Sequence, residues 1–407
     1  MIQIAVLGYG TVGSGVVEVL NTNKDIIAKK AGEEISVKYV LDLRDFPGDP
    51  IQEKVVHDFE VILNDPEIRV VAEVMGGVEP AFTFSKKALM AGKSVCTSNK
   101  ELVARHGTEL LEIAKEHHVN YLFEASCGGG IPIIRPLHSS LTGDEIDEIT
   151  GILNGTTNYI LTKMIQEGSE FDQVLKEAQQ KGYAERNPEA DVEGYDACRK
   201  IAILSSIAFG KQVNFEDVYT EGITKITVSD IKYAKAMERC IKLLASSKRV
   251  GEDVYAMVSP VLVGKEDPLF SVNGVFNAIF VHGNMLGDAM FYGSGAGKLP
   301  TASAVVGDIV DEVKNGSTDV MASWSSEKLN LTDVKKARKQ FFVRVQGDVQ
   351  KDLDEVKRIF GAVEPIVIED MAGEFGFVTE EMTEADFEAK SEESGKVISR
   401  IRIRHAE

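Results

Sequence analysis

Residues Ile2–Leu7 form an apolar run broken only by Gln3, the pattern of a strand buried on both faces of a parallel sheet. Val16, Val17, Val19 and Leu20 then recur at helical spacing, and Ile35–Leu41 reads as a second strand. Further strand-like runs at 70–75, 94–97 and 119–123 alternate with helical stretches at 80–91 and 101–118. Strand and helix in strict alternation predict an α/β fold with a doubly wound parallel sheet over residues 1–130. The pattern then loosens. Strands are expected at 146–153, 219–226, 254–263 and 275–282, and helices at 158–167, 172–181, 196–209 and 232–246. Residues 131–300 therefore read as an α+β domain, a mixed sheet with helices on one face. An apolar helix near 300–324, through Ala302, Ala304 and Ile309, is expected to return to and complete the first domain. Residues 325–340 are polar and lysine-rich, a linker pattern. Beyond it, strands at 341–345, 364–369, 374–380 and 396–404 and helices at 350–360 and 382–392 give the order β-α-β-β-α-β over 341–407.

The bulk properties narrow the class. A chain of 407 residues can bury two or three separate cores. A formal charge of −19 argues against a nucleic-acid surface, which needs a positive field. The apolar runs are strand-sized, too short to span a bilayer, so no membrane association is expected. Met1 leads straight into the first strand with no basic flank or cleavage site, so no signal peptide is expected. Cys96, Cys127, Cys198 and Cys240 are scattered without C-x-x-C spacing, which points to a reducing, cytoplasmic setting.

Candidate chemistry begins at Gly8, Gly10 and Gly13, set between a strand and a helix. That context is the dinucleotide fingerprint of a Rossmann-type domain, with Thr11 and Val12 opening a helix whose N-terminus faces a pyrophosphate. Asp42 ends the second strand, where a carboxylate would accept ribose hydroxyls; Arg44 is placed to pair with a 2′-phosphate. The two argue in opposite directions, so NAD and NADP both remain open. Gly76, Gly77 and Lys100 fall at the carboxyl ends of strands, the edge at which such sheets bind ligands.

The most specific segment is 178–200. Asn187-Pro188 forces a turn, leaving Glu185 and Asp191 on a loop, and from Gly194 a helix begins with Asp196 and Lys200 at i,i+4. This segment resembles the signature of homoserine dehydrogenases residue for residue. Similar family blocks occur in family order over residues 1–325: Gly8 to Gly13, Glu73-Val-Met-Gly-Gly77, Thr97 to Lys100, Phe123 to Pro132, Leu153-Asn-Gly-Thr-Thr-Asn158 and Gly295 to Ala304.

The resemblance implies reversible, NAD(P)-dependent hydride transfer between L-homoserine and L-aspartate 4-semialdehyde, in threonine, methionine and isoleucine biosynthesis. It implies Lys200 as proton donor in aldehyde reduction, oriented by Asp196. Lys100 and Lys200 could lower each other's pKa. Glu185 would bind near the hydroxyl and Asp191 would take the substrate ammonium. The N–H groups at Gly155 and Thr156, at the start of a helix, suit the substrate carboxylate. A homodimer or homotetramer is expected, in part because a small C-terminal module would expose sheet edges.

Cys127, ahead of three glycines, invites a second reading as the nucleophile of a thioester-forming semialdehyde dehydrogenase, for which no histidine stands in a recognisable motif as base. Alternatively, the carbonyls of Cys127, Gly129 and Ile131 with the Glu124 side chain resemble the family's monovalent-cation site, an oxygen set suited to sodium. A plain glycine-rich turn is the third reading of this loop. The C-terminal order is that of a ferredoxin-like module and resembles the ACT domain that follows many monofunctional homoserine dehydrogenases and binds an amino-acid effector. Here the loop after its first strand reads Gly347-Asp348-Val349, without the usual Pro-Gly, so a structural module and a threonine sensor stay equally open. A non-catalytic amino-acid sensor would keep the glycine fingerprint and this module but would not need residues 185–200.

Overall fold

The computed structural model describes residues 1–316 and 318–405. Its first 122 residues run β1 (Ile2–Leu7), α1 (Thr11–Thr22), α2 (Lys24–Ala31), β2 (Ile35–Leu41), β3 (Val55–Val56), α3 (Phe59–Leu63), β4 (Ile68–Glu73), α4 (Ala81–Met90), β5 (Ser94–Thr97), α5 (Lys100–Glu116) and β6 (Tyr121–Leu122). The six strands form one sheet in the order β3-β2-β1-β4-β5-β6. Every pairing is parallel. That order, with its reversal beside β1, is the doubly wound dinucleotide topology. Ile4 to Leu7 are fully buried, as a central strand covered on both faces demands.

The chain continues with β7 (Ile146–Ile152), α6 (Gly155–Glu167), α7 (Phe171–Gln180), α8 (Glu189–Val192), α9 (Tyr195–Phe209), β8 (Lys211–Gln212), β9 (Tyr219–Thr220), α10 (Val228–Ala236), β10 (Arg239–Val250), β11 (Asp253–Gly264), β12 (Phe276–Gly283), β13 (Gly287–Ser294) and α11 (Lys298–Asn315). Two expectations fail here. The helix expected at 232–246 is α10 followed by β10, split where Glu238 takes a φ of 57°. Residues 240–245 of β10 are buried on both faces, so the alternation that marks a strand is erased. The strand expected at 219–226 shrinks to two residues, and β13 and the short helix α8 were not anticipated. The helix expected near 300–324 is α11. It packs against α1 closely enough that a Cβ on Gly15 would lie 2.8 Å from the Lys298 carbonyl oxygen.

The remaining elements are β14 (Ser325–Lys328), β15 (Arg338–Gln346), α12 (Val349–Phe360), β16 (Pro365–Ile366), β17 (Glu374–Val378), β18 (Met382–Thr383), α13 (Glu384–Ser394) and β19 (Val397–Ile403). The stretch expected as a linker, 325–340, thus carries β14, paired with β8, and the start of β15. Strand order β19-β15-β17-β16, antiparallel throughout, is that of the split β-α-β ferredoxin-like motif. Phe341, Val343 and Val345 point to one face, where they pack with Val356 and Phe360 of α12 and Phe387 of α13. Phe342, on the other face, lies with its ring 5.4 Å from that of Tyr233 on α10.

The chain divides into two compact units. The first comprises Met1–Ile149, Arg199–Phe215 and Ile279–Leu329; the second comprises Thr150–Cys198, Glu216–Ala278 and the chain from Asn330 onward. Within the second, β19 pairs in parallel with β11, Val261 opposite Arg402 and Leu262 opposite Ile403. One of the two module edges expected to stand open is therefore occupied by the same chain, and β16 forms the other end of the sheet.

Candidate active site

In the first unit, the turn after β1 is shaped by glycine. Gly8 has a φ of 95°, and a Cβ on Gly13 would collide with the Gly8 carbonyl oxygen. Helix α1 starts with Gly10 as N-cap, no side-chain cap and no acidic residue in its first turn. The N–H groups from Thr11 and Val12 onward are left for an anion. Asp42 and Arg44, read in sequence as rivals, form one ion pair. Asp42 Oδ2 accepts from the Tyr9 N–H at 2.8 Å and from Arg44 Nη2 at 3.0 Å; Oδ1 accepts from the Arg44 N–H and Nε, both at 3.0 Å. The Arg44 guanidinium holds the Asp42 carboxyl well below the usual range. Lys100 is the first residue of α5, whose N-cap Asn99 accepts from the Leu102 N–H at 3.1 Å.

Glu124 does not fit the expected cation site. Its Oε1 accepts from the N–H groups of Ile133 (2.6 Å) and Ile134 (2.8 Å), and its Oε2 accepts from that of Arg135 (2.8 Å), with Arg135 Nε at 3.3 Å. The carboxylate is spent on capping the turn that follows, and sodium drawn through that side chain drops out. Among the described residues no cluster of three or more His, Cys, Asp or Glu is placed to hold a metal. Cys127 is fully buried, with its Sγ 3.7 Å from the Lys200 carbonyl oxygen, the wrong setting for a thiol that must meet substrate. The thioester reading falls with it.

In the second unit, Asn154 organises the carboxylates. It caps α6 through Oδ1, which accepts from the Thr157 N–H at 2.9 Å. Its Nδ2 donates to Asp191 Oδ1 at 2.7 Å and to Asp196 Oδ2 at 2.9 Å. Asp191 lies on α8 rather than on a loop, and Asp196 is buried in the first turn of α9. Lys200, one turn further along α9 in the part of that helix that belongs to the first unit, is also buried. Thr156, the second residue of α6, donates through Oγ1 to the Tyr183 carbonyl at 2.6 Å. That contact ties α6 to the loop carrying exposed Glu185. The bridging role of Asn154 was missed in the sequence; the only signal was a helix-capping residue type directly ahead of Gly155-Thr156.

A buried amine supports α6 from beneath. Lys242 of β10 is wholly buried, with its Nζ donating to the Val272 carbonyl (2.5 Å), Asn273 Oδ1 (2.9 Å) and Asn158 Oδ1 (3.2 Å). Burial lowers its pKa to about 8. The unfolded amine stays protonated to a higher pH, so between about pH 8 and 10.5 the unfolded chain binds more protons and the cost of burying the Lys242 charge is relieved as pH rises. Wild type should accordingly gain about 2 kcal/mol of stability relative to Lys242→Met between pH 7 and 9.5, whichever is the more stable at pH 7, read by urea unfolding at both values. No gain of wild type relative to the variant would show that the amine does not titrate with a lowered pKa in the folded protein.

The glycine turn with an uncapped helix behind it fits a pyrophosphate. The glycine turn and the parallel sheet behind it define the class as a dinucleotide-dependent enzyme. Residues 8–124 match the family model for the NAD-binding domain of homoserine dehydrogenase, and residues 132–310 match that for homoserine dehydrogenase. The chain is 41% identical over 415 aligned residues to the homoserine dehydrogenase of Synechocystis sp., covering 96% of this chain and 95% of that one. With the Bacillus subtilis enzyme it shares 44% identity, over 77% of this chain and 73% of the relative. A crystal structure of a homoserine dehydrogenase from Thiobacillus denitrificans superposes with a TM-score of 0.91 at 34% identity, covering 99% of this chain and 98% of that one. The chain belongs to the homoserine dehydrogenase family.

Proposed function

We propose that this chain interconverts L-homoserine and L-aspartate 4-semialdehyde, with Lys200 as the proton-transfer group. The bound nicotinamide supplies or accepts the hydride at the substrate carbon. When the alcohol is oxidised, its hydroxyl proton passes to Lys200; in the reverse direction the Lys200 ammonium donates to the aldehyde oxygen. The single observation that supports this reading is the Asn154 amide, which holds two carboxylates, Asp191 and Asp196, with Asp196 one turn before Lys200. Asp196 orients the lysine, Asp191 binds the substrate ammonium and Glu185 lies near the substrate hydroxyl. The Gly155 and Thr156 N–H groups take the carboxylate. Lys100, opening α5 at the carboxyl edge of the parallel sheet, lies on the nicotinamide side. The C-terminal module is an ACT-like structural element. Formation of reduced nicotinamide from L-homoserine with NAD or NADP, unchanged by phosphate, tests the activity and separates it from thioester chemistry and from non-catalytic sensing.

Glu185→Gln and Asp191→Asn should each raise the KM for homoserine about tenfold or more while moving the cofactor KM by less than about twofold. A shift confined to the cofactor would relocate this segment to nucleotide binding.

A further inference from the structure

Glu73 closes β4, is fully buried, and has no role in the mechanism above. Its Oε1 accepts from the Met75 N–H at 2.8 Å, and its Oε2 accepts from the Thr97 hydroxyl at 2.6 Å across the β4–β5 pair. The Thr97 oxygen in turn accepts from the Asn99 N–H at 2.9 Å. Asn99 returns to the first loop, its Nδ2 donating to the Gly77 carbonyl at 2.6 Å while its Oδ1 caps α5. The hydrogen bonds form a closed ring: Glu73 to Thr97, Thr97 to Asn99, Asn99 to Gly77, and back along the chain through Met75 to Glu73. Thr97 is fully buried and Asn99 nearly so. The ring clamps together the loops that leave β4 and β5, two adjacent strands at the ligand-binding edge of the sheet.

No cation is among the hydrogen-bond partners of this carboxyl, and burial pushes it up to about 7. Such burial is costly, so a carboxylate at this place is unfavourable for stability alone. It does present two acceptor oxygens to the Met75 amide and the Thr97 hydroxyl, with the Asn99 side chain as a further donor. A glutamine would offer one oxygen, so either the Met75 amide loses its acceptor or the Thr97 hydroxyl must turn from donor to acceptor, and the ring is re-set in either case.

We infer that Glu73 is a positioning residue for the nicotinamide half of the cofactor. Through Thr97 and Asn99 it sets the 74–77 loop, the start of α5 and hence the backbone of Lys100 in the geometry that hydride transfer requires. The inference rests on the reading above that places the nicotinamide and Lys100 at this edge.

The test compares Glu73→Gln and Thr97→Val, separately and together, in the full chain. Reduced cofactor and ADP-ribose, which lacks the nicotinamide, are each titrated by fluorescence and calorimetry, alongside kcat, KM and Tm. Each single variant should weaken reduced-cofactor binding about tenfold and lower kcat about tenfold, while ADP-ribose binding changes less than about twofold. The double variant should be no worse than the worse single one, because both act through one ring. Equal weakening of cofactor and ADP-ribose overturns the inference, as does a fall in Tm with kcat and cofactor affinity unchanged. If Glu73→Gln does not fold, Thr97→Val, which keeps the side-chain shape, decides by the same ratio. Wild-type enzyme that binds reduced cofactor but does not oxidise homoserine overturns the proposed function alone, since the cofactor to ADP-ribose ratio still reports on Glu73.

Discussion

Lys200→Ala should lower kcat by roughly two to four orders of magnitude, the usual size of a general acid–base contribution, with cofactor affinity within about twofold of wild type. The side chain is buried on α9, and Asp196, the group proposed to orient it, is itself fixed by the Asn154 amide. The loss therefore falls on proton transfer, not on the placement of its surroundings. Removing one buried amine from a helix that keeps its other packing should leave the protein folded, which thermal unfolding of the variant checks. A variant that keeps more than about a tenth of wild-type turnover transfers the role to Lys100. Lys200→Ala combined with Asp196→Asn should be little slower than Lys200→Ala alone, because an orienting group has nothing left to orient.

What could be read directly from the chain was local. Gly8 and Gly13 are demanded by one tight turn between one strand and one helix, so their spacing carries the information by itself. Strand β1 announces itself because a strand covered on both faces needs an apolar run, and β2 through the alternation of buried Ile35 and Val37 with part-exposed Ser36 and Lys38. In β10 the same burial produced the error at 232–246: with both faces apolar and Lys242 hidden among them, nothing in the spacing separates strand from helix. Asp42 and Arg44 looked like alternatives because their joint tie to Tyr9, 33 residues away from Asp42, is a product of the fold. Glu124 looked like a ligand because the turn that consumes its oxygens begins nine residues later. Asn154 went unread for the same reason: its two carboxylate partners lie 37 and 42 residues further on. The C-terminal order of elements was legible in outline, but the pairing of β19 with β11 joins residues about 140 apart and leaves no local mark.

That pairing decides what truncation at about Trp324 should do. Removing β15 through β19 strips β11 of its parallel neighbour and leaves buried carboxylates without their cations. Asp230 on α10 is fully buried and holds Arg344 Nη1 at 2.8 Å and the Ser399 hydroxyl at 2.7 Å. Glu221 accepts from Arg402 at 2.8 Å, and Asp267 accepts from Arg404 at 2.8 Å. Breaking a buried pair by deleting one partner costs about 3–5 kcal/mol, and two such losses, at Asp230 and Asp267, are comparable with the whole stability of an ordinary domain, about 5–15 kcal/mol. The truncated chain should therefore be insoluble or melt more than about 10 °C below the full enzyme, with activity lost in step with folding. Relief of inhibition is not expected, because the loop where an effector would sit is filled by the chain itself. Asp352 Oδ2 accepts from the Asp348 N–H at 2.7 Å, a Cβ on Gly347 would collide with that same carboxylate, and Lys396 closes on Asp352 Oδ1 at 2.9 Å. An effector shifts a conformational equilibrium only by its difference in affinity between two states, and a site closed by its own side chains gives threonine nothing to prefer. Titrating threonine against the full-length enzyme, and against any soluble truncated form, measures both halves of this expectation. Strong inhibition of the full-length enzyme, lost in a truncated form that stays folded and active, would show that the module is a working sensor and that the Asp352 closure opens to admit its ligand.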